Sequence, residues 1–141
     1  AKIPLPESRI CDDAEPSMDD YLGWFQRGLK FAQLGFPDRA AESFETAEAI
    51  EPEDATLQFN LGTAYLSLGN FVQAVTSLDK AIKLDPSNSD AYGNRAVANA
   101  ALGQETLVTA DVEKAISLGA PPEGIESVLN YVRERVNPDQ D

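Results

Sequence analysis

The feature that most restricts how this chain folds is a recurrence of the same residue types at an offset of 34 along its 141 residues. Glycine, alanine and proline each recur in separate columns: Gly28 and Gly62; Gly35, Gly69 and Gly103; Ala47, Ala81 and Ala115; Pro52 and Pro86. Because three residue types do not align at one period by chance, the columns indicate tandem copies of one structural unit. They divide the chain into three units without insertions, at 21–54, 55–88 and 89–122.

Within the middle unit the apolar residues predict two helices. They recur at helical spacing as far as Leu68 and again from Phe71. Gly69-Asn70 interrupts the pattern and Asp85-Pro86 ends it, as turn-forming residues do. The unit is therefore predicted to be a helical hairpin, with helices at 55–68 and 71–84.

The same unit resembles the tetratricopeptide repeat (TPR). The resemblance rests on Leu61-Gly62, Tyr65, Ala74, Ala81 and Pro86 at their separations, although Gln58 stands where the family usually has Trp and Leu78 where it usually has Phe. It implies an all-α fold, a right-handed α-solenoid of three TPR hairpins within a domain at 18–136. An apolar stripe after Pro121-Pro122 predicts a C-terminal capping helix at 123–136, with a solvated outer side.

The third unit departs from the pattern in its first helix. Arg95, Ala96 and Asn99 stand where the repeat has Leu, Gly and Tyr. We expect the hairpin to form with altered packing. Asn99 is expected to bond to backbone or to water, because a buried polar group needs a partner.

The two ends of the chain lie outside the repeats. Prolines at positions 4, 6 and 16 resist helix formation, so residues 1–17 are predicted to form an extended arm that either hangs free or lies against the solenoid or a partner. Ser17 is the predicted N-cap of the first helix, which then runs to about Leu34. Residues 137–141 are expected to fray.

The charge balance argues against two classes of partner. The chain has 24 acidic and 11 basic residues, for a net charge of −13. Nucleic acids and anionic membrane surfaces are bound through clusters of Lys and Arg, so neither is expected as a partner. On the second helix, Glu42, Glu45 and Glu48 are expected to form a solvated outer face, with docking of a basic partner as the alternative.

The uncharged run 55–78 is long enough to span a bilayer, but it contains polar residues and divides into two amphipathic halves. No direct membrane insertion is therefore predicted. A single cysteine excludes an internal disulfide. The sequence starts with Ala-Lys, which fits a processed or trimmed form, and a removed targeting peptide would leave no trace in it. The compartment is therefore open: we expect a soluble protein that is cytoplasmic or, after removal of such a peptide, organellar.

The sequence offers no candidate residues for catalysis, for a cofactor or for a metal. It contains no histidine, which removes Ser–His and Cys–His nucleophilic pairs and most zinc sites. Gly23 and Gly28 have the spacing of a phosphate-binding loop, but Leu29 stands where that loop needs Lys, and no Gly-x-Gly-x-x-Gly occurs. We therefore expect a protein that is not an enzyme and that binds no cofactor.

By the resemblance, the first helix of each hairpin lines the concave side of the solenoid, where members of the family bind extended peptides or partner helices. The candidate protein-binding residues on these helices are Phe25, Gln26, Leu29, Phe59, Asn60, Thr63, Leu66, Asn94 and Val97. This set is uncharged and partly apolar. Asn60 and Asn94, one repeat apart, are expected to pair with a partner's backbone, whereas the Phe side chains serve either a partner or the packing between helices.

One TPR subtype grips the acidic C-terminal tails of cytosolic chaperones through Lys, Arg and Asn side chains. The matching positions in this sequence are Phe25, Leu29, Asn60, Asp90 and Asn94, and only Asn60 agrees. Without cations nothing offsets the desolvation of a carboxylate, so such tails are not expected as ligands.

These features predict a non-catalytic scaffold for protein–protein interaction, as an assembly factor or an accessory subunit of a larger complex. The expected partner segment is extended or helical, neutral to basic, and carries apolar anchors. A second hypothesis is structural self-association through the solenoid ends or the N-terminal arm.

Overall fold

The computed structural model describes residues 15–136, and within that range the chain forms seven α-helices and no strand. They are α1 (Tyr21–Gln33), α2 (Pro37–Ile50), α3 (Ala55–Leu68), α4 (Phe71–Leu84), α5 (Ser89–Ala101), α6 (Glu105–Ser117) and α7 (Pro122–Val136). Most of the expected arm at 1–17, and all of the expected frayed tail at 137–141, lie outside the described residues.

The helices pack as three hairpins, α1–α2, α3–α4 and α5–α6, and each hairpin packs against the next. The first helices of neighbouring hairpins also touch, α1 with α3 and α3 with α5. This arrangement is the predicted all-α solenoid. Both helices of the middle unit have the predicted bounds.

Glycine turns the chain between the two helices of every hairpin. Gly35, Gly69 and Gly103 have φ angles of 83°, 77° and 75°. A side chain is unfavourable in this left-handed region, so the most regular glycine column of the sequence corresponds to helix ends.

A side-chain oxygen caps the first helix of every hairpin. Asp20, Asp54 and Asn88 each accept a backbone N–H from two or three residues ahead, at distances of 2.8–3.2 Å. These three residues also follow the 34-residue period. The prediction of Ser17 as the first cap is wrong, because Ser17 Oγ donates to Asp19 Oδ1 and α1 begins at Tyr21.

A second set of residues at the 34-residue period binds the segment that leads into each hairpin. Its members are Trp24, Gln58 and Tyr92. The three side chains differ, but each donates a hydrogen bond of 3.0–3.1 Å to a backbone carbonyl six or seven residues upstream. Gln58 therefore replaces the Trp usual in the repeat with a different donor for the same contact.

The acidic residues of α2 are divided between the surface and the contact with α3. Glu42 is exposed, as predicted. Glu45 accepts from Tyr65 Oη at 2.8 Å, and Glu48 accepts from Gln58 Nε2 at 2.7 Å. Glu45 is exposed, as predicted, even though it accepts this bond. The prediction of a solvated face is wrong for Glu48, which is half-buried against the next hairpin.

The last helix, α7, covers the end of the third hairpin. Leu129 is buried, and Ile125 and Val132 pack with it against residues of α5 and α6. Val128 and Val136 belong to the same predicted stripe but are 46% and 41% exposed. None of the helices within residues 15–136 has the length and apolar character needed to cross a bilayer.

Candidate binding groove

A groove of about 190 Å³ lies between α5 and α7. Its walls come from the first helix of the third hairpin and from the start of the capping helix, and its lining residues are Ser89, Asp90, Gly93, Asn94, Val97, Ala120, Pro121, Gly124, Ile125 and Val128. The small residues Gly93 and Gly124 leave space between the helices. A Cβ built on Gly93 would meet no atom within 4 Å.

The chemistry of the groove is apolar with a single charge. Val97, Ile125 and Val128 supply aliphatic surface, and Val128 is 46% exposed. Among the described residues that line the groove, Asp90 is the one with an ionisable side chain. It is exposed and lies in the first turn of α5. A segment seated here therefore meets aliphatic side chains and one carboxylate.

Asn94 and Val97 are the candidate residues that the fold places in this groove. Asn94 also joins two hairpins, because its Nδ2 donates to Thr63 Oγ1 of α3 at 3.1 Å. A side-chain amide has two N–H donors and an acceptor oxygen, so this bond uses part of its capacity.

The candidates on α3 lie beside the groove rather than in its lining. Asn60 Nδ2 donates to the carbonyl of Thr56 at 2.8 Å, and Thr63 Oγ1 donates to the carbonyl of Phe59 at 2.9 Å, both within the helix. Phe59 is half-buried, and Leu66 packs against the main core.

The candidates on α1 differ in exposure. Phe25 is 9% exposed, and its ring makes an edge contact with Phe44 at 5.8 Å, so it is part of the core. Leu29 is half-buried against the same core, and Gln26 is exposed. The sequence left two roles open for the Phe side chains, contact with a partner or packing between helices. For Phe25 the structure favours packing.

Half of the residues that line the groove were not among the candidates selected from the sequence. Ala120, Pro121, Gly124, Ile125 and Val128 belong to the start of α7 and to the turn before it. A faint signal was present, since the apolar stripe of α7 includes Val128, which the end of the hairpin does not fully cover. Only the placement of α7 against α5 identifies this wall.

Several ionisable groups outside the groove are paired. Arg95 of α5 donates two hydrogen bonds of 2.7 and 2.8 Å to Asp111 of α6 and one of 2.9 Å to Asp79 of α4. The hydrogen bonding to Asp111 is the main cause of the raised pKa of Arg95. Burial and a hydrogen bond to Asp54 raise the pKa of Tyr21. Burial and a hydrogen bond to Glu45 raise the pKa of Tyr65 in the same way. No group of three or more His, Cys, Asp or Glu side chains within residues 15–136 is arranged to hold a metal ion.

Comparison with known sequences gives one family. A family model described as "Tetratricopeptide repeat" matches residues 25–89 and 60–107, which together exceed half of the chain. No curated protein sequence matches.

Solved structures with the same fold are numerous. The second TPR of Spaghetti (RPAP3), bound to the HSP90 peptide SRMEEVD, is 29% identical with a TM-score of 0.67, over 72% of this chain and 94% of that one. The second TPR domain of human RPAP3, in complex with the HSP70 peptide SGPTIEEVD, is 26% identical with a TM-score of 0.71, over 80% and 94%. The Arabidopsis OM64 TPR domain, at 22% identity, has a TM-score of 0.72 over 85% and 99%, a likeness of fold.

Proposed function

The chain belongs to the tetratricopeptide repeat family, and we propose that it is a non-catalytic scaffold that binds a segment of another polypeptide in the groove between α5 and α7. Domains of this family are protein–protein interaction modules. The observation that supports this site is its lining, an aliphatic surface with one carboxylate, which suits an apolar anchor followed by a neutral or basic residue. The partner segment is extended or helical and belongs to a larger complex. This chain acts as an assembly factor or an accessory subunit of that complex.

Each part of the lining has a role in this proposal. Val97, Ile125 and Val128 receive the apolar anchor, and burial of that anchor supplies most of the affinity. Asp90 pairs with a basic side chain at the rim and contributes more to orientation and association rate than to affinity. Asn94 bonds to the partner's backbone while it holds Thr63.

The acidic chaperone peptides of the related structures are poor ligands under this proposal. SRMEEVD and SGPTIEEVD both end in carboxylate-rich sequences. They are the ligands of the two RPAP3 domains, and their binding is a property of those domains. In this chain a carboxylate at the end of the groove meets Asp90, and like charges repel.

Two peptides test the class of partner. One is SRMEEVD, and the other is its charge-reversed form SRMKKVK with an amidated C-terminus. Chemical shifts of the ¹⁵N-labelled protein should move at Asp90, Asn94, Val97 and Val128 with the basic peptide, and less with the acidic one. Tighter binding of the acidic peptide in this groove would reject the neutral-to-basic partner class. Binding of the basic peptide with no shift at these residues would reject the site.

Matched variants separate the apolar contact from the charge. Val97→Asn should weaken binding of the basic peptide by about tenfold or more, because it places a polar amide where an apolar anchor is buried and leaves the charge unchanged. Asp90→Asn should weaken it by about fivefold at most, since an exposed pair contributes up to about 1 kcal/mol. Glu113→Gln removes the same charge from the exposed surface of α6 and should leave binding unchanged.

Self-association is the alternative function. It predicts a mass that rises with concentration in light scattering, and it predicts that neither groove variant changes that mass.

A further inference from the structure

A second groove, of about 360 Å³, lies between α4 and α6 and is separate from the groove proposed above. Arg95 and Asn99 of α5 line this α4–α6 groove, whereas Gly93 and Val97 of the same helix line the α5–α7 groove. Residues two apart on a helix are rotated by about 200°, so the two grooves lie on opposite faces of α5. The other walls combine aliphatic and acidic side chains, which include Val75, Asp79, Leu107 and Ala110.

Asn99 lies in the α4–α6 groove without a hydrogen-bond partner. It is 4% exposed, and within residues 15–136 neither the nitrogen nor the oxygen of its side-chain amide takes part in a hydrogen bond. The bond to backbone that the sequence led us to expect is therefore not formed within that range. Because a buried amide normally has a partner, Asn99 offers a ligand both a donor and an acceptor.

The second hairpin shows which side chain fills the equivalent position. Tyr65 precedes Asn99 by 34 residues and is buried, and its hydroxyl donates to Glu45 of the preceding hairpin at 2.8 Å. Glu45 is itself 34 residues before Asp79, which lines the α4–α6 groove. The third hairpin thus keeps the acceptor but has a short amide in place of the phenol ring.

Asp79 has the capacity to accept a further hydrogen bond. Its Oδ1 accepts from Arg95 Nη1 at 2.9 Å, and the side chain of Asp79 is exposed. An ionised carboxylate has about four acceptor sites, so a hydroxyl can bond to Asp79 as Tyr65 bonds to Glu45 while Arg95 stays in place. Leu107, an exposed leucine of α6, supplies apolar surface for a ring.

We propose that the α4–α6 groove binds a tyrosine side chain of a partner polypeptide. The ring takes the position that Tyr65 has in the second hairpin, the hydroxyl donates to Asp79, and the amide of Asn99 bonds to the partner's backbone. The repeat supports this occupant, because the equivalent surroundings already hold a tyrosine one hairpin earlier. A side chain without a hydroxyl gives Asp79 no new donor and binds less tightly.

Three capped pentapeptides test the site on the full chain: Gly-Gly-Tyr-Gly-Gly and its forms with Phe or Leu at the centre. The Tyr peptide should shift the side-chain amide signal of Asn99 and the backbone amide signals of Leu107 and Ala110 in the ¹⁵N-labelled protein. It should bind about threefold to tenfold more tightly than the Phe peptide, because one hydrogen bond is added. Absence of these shifts at millimolar peptide would overturn the proposal. Shifts at Asn94 and Val97 instead, or equal binding of the Tyr and Leu peptides, would overturn it as well.

Variants test the contact itself. Asn99→Tyr fills the groove with the side chain of the second hairpin and should abolish binding of the Tyr peptide. Thr109→Tyr adds the same side chain at an exposed position of α6 outside the groove and should not. Native-like binding by Asn99→Tyr would overturn the site.

Asp79→Ala keeps the test open if Asn99→Tyr does not fold, because it changes an exposed residue. It should reduce the affinity for the Tyr peptide to that for the Phe peptide and leave the Phe peptide unchanged. A preference for Tyr that survives in Asp79→Ala would overturn the assigned contact. A mass that rises with concentration and is lowered by Asn99→Tyr would make a second copy of the chain the occupant, which would overturn the partner.

Discussion

Arg95 and Asp111 form a two-point ion pair across the third hairpin, with Nε to Oδ2 at 2.8 Å and Nη2 to Oδ1 at 2.7 Å. The side chain of Asp111 is 8% exposed. The equivalent positions of the second hairpin are Leu61 and Ser77, both buried. The third unit thus replaces an apolar contact with a paired charge.

Loss of one member of this pair should cost more than loss of both. Arg95→Leu leaves the carboxylate of Asp111 buried beside a methyl group, and should lower the free energy of unfolding by about 3 kcal/mol. Arg95→Leu with Asp111→Ser reproduces the second hairpin and should return to within about 1 kcal/mol of the native value. Urea denaturation of the four proteins of this cycle measures the coupling. Additive losses would contradict the pairing.

Removal of a helix cap should destabilise the middle hairpin. Asp54 accepts from the N–H groups of Thr56 and Leu57 and from Tyr21 Oη, the last at 2.5 Å. Asp54→Ala should therefore cost about 1–2 kcal/mol, whereas Asp54→Asn keeps a capping oxygen and should cost less. Glu53→Ala, at the exposed neighbour, serves as the control in thermal unfolding. Equal effects of the Ala and Asn variants at position 54 would show that the cap is not the cause.

Two glycines in first helices should respond to alanine in opposite directions. A Cβ at Gly28 would lie 2.5 Å from the ring of Phe44, so Gly28→Ala should destabilise by about 1–3 kcal/mol, as overpacking does. A Cβ at Gly93 meets open space, and Gly93→Ala should stabilise by up to about 1 kcal/mol through helix propensity. Unfolding midpoints of the two variants give the comparison, and an unchanged or raised midpoint for Gly28→Ala would refute the close approach of α1 and α2.

Acid should weaken the attachment of α7. Arg133 donates to both carboxylate oxygens of Glu105 at 2.8 and 2.7 Å, and these bonds lower the pKa of Glu105 below its ordinary value of 4.5. A pKa that is lower in the folded state contributes stability above pH 4.5 and loses it as the pH falls through the folded-state value. Because both side chains are exposed, the contribution is at most about 1 kcal/mol.

The comparison is between native protein and Glu105→Gln. The native protein should unfold at higher urea at neutral pH, and the difference should shrink as the pH falls through the folded-state pKa of Glu105, below which the carboxyl is protonated in both states. A difference that persists in acid would assign the effect to packing rather than to charge.

The repeat determined the hairpins, because each residue type that recurs at the 34-residue period meets a requirement of the local backbone or of the contact within one hairpin. A left-handed turn needs glycine at Gly69, and two close helix backbones need a small residue at Gly62. Such requirements act within about one hairpin, so helix bounds and order could be read from residue type and spacing.

Tertiary structure alone decided what depends on contacts between units. The sequence placed Glu48 on a solvated face and left Phe25 to either a partner or the packing between helices, whereas in the structure Glu48 accepts a bond from Gln58 and Phe25 packs on Phe44. The groove beside Asp90 exists because α7 lies against α5, and no column of the repeat includes α7. Periodicity gives the face of a helix on which a residue lies, but the neighbour that meets that face is set by packing between hairpins.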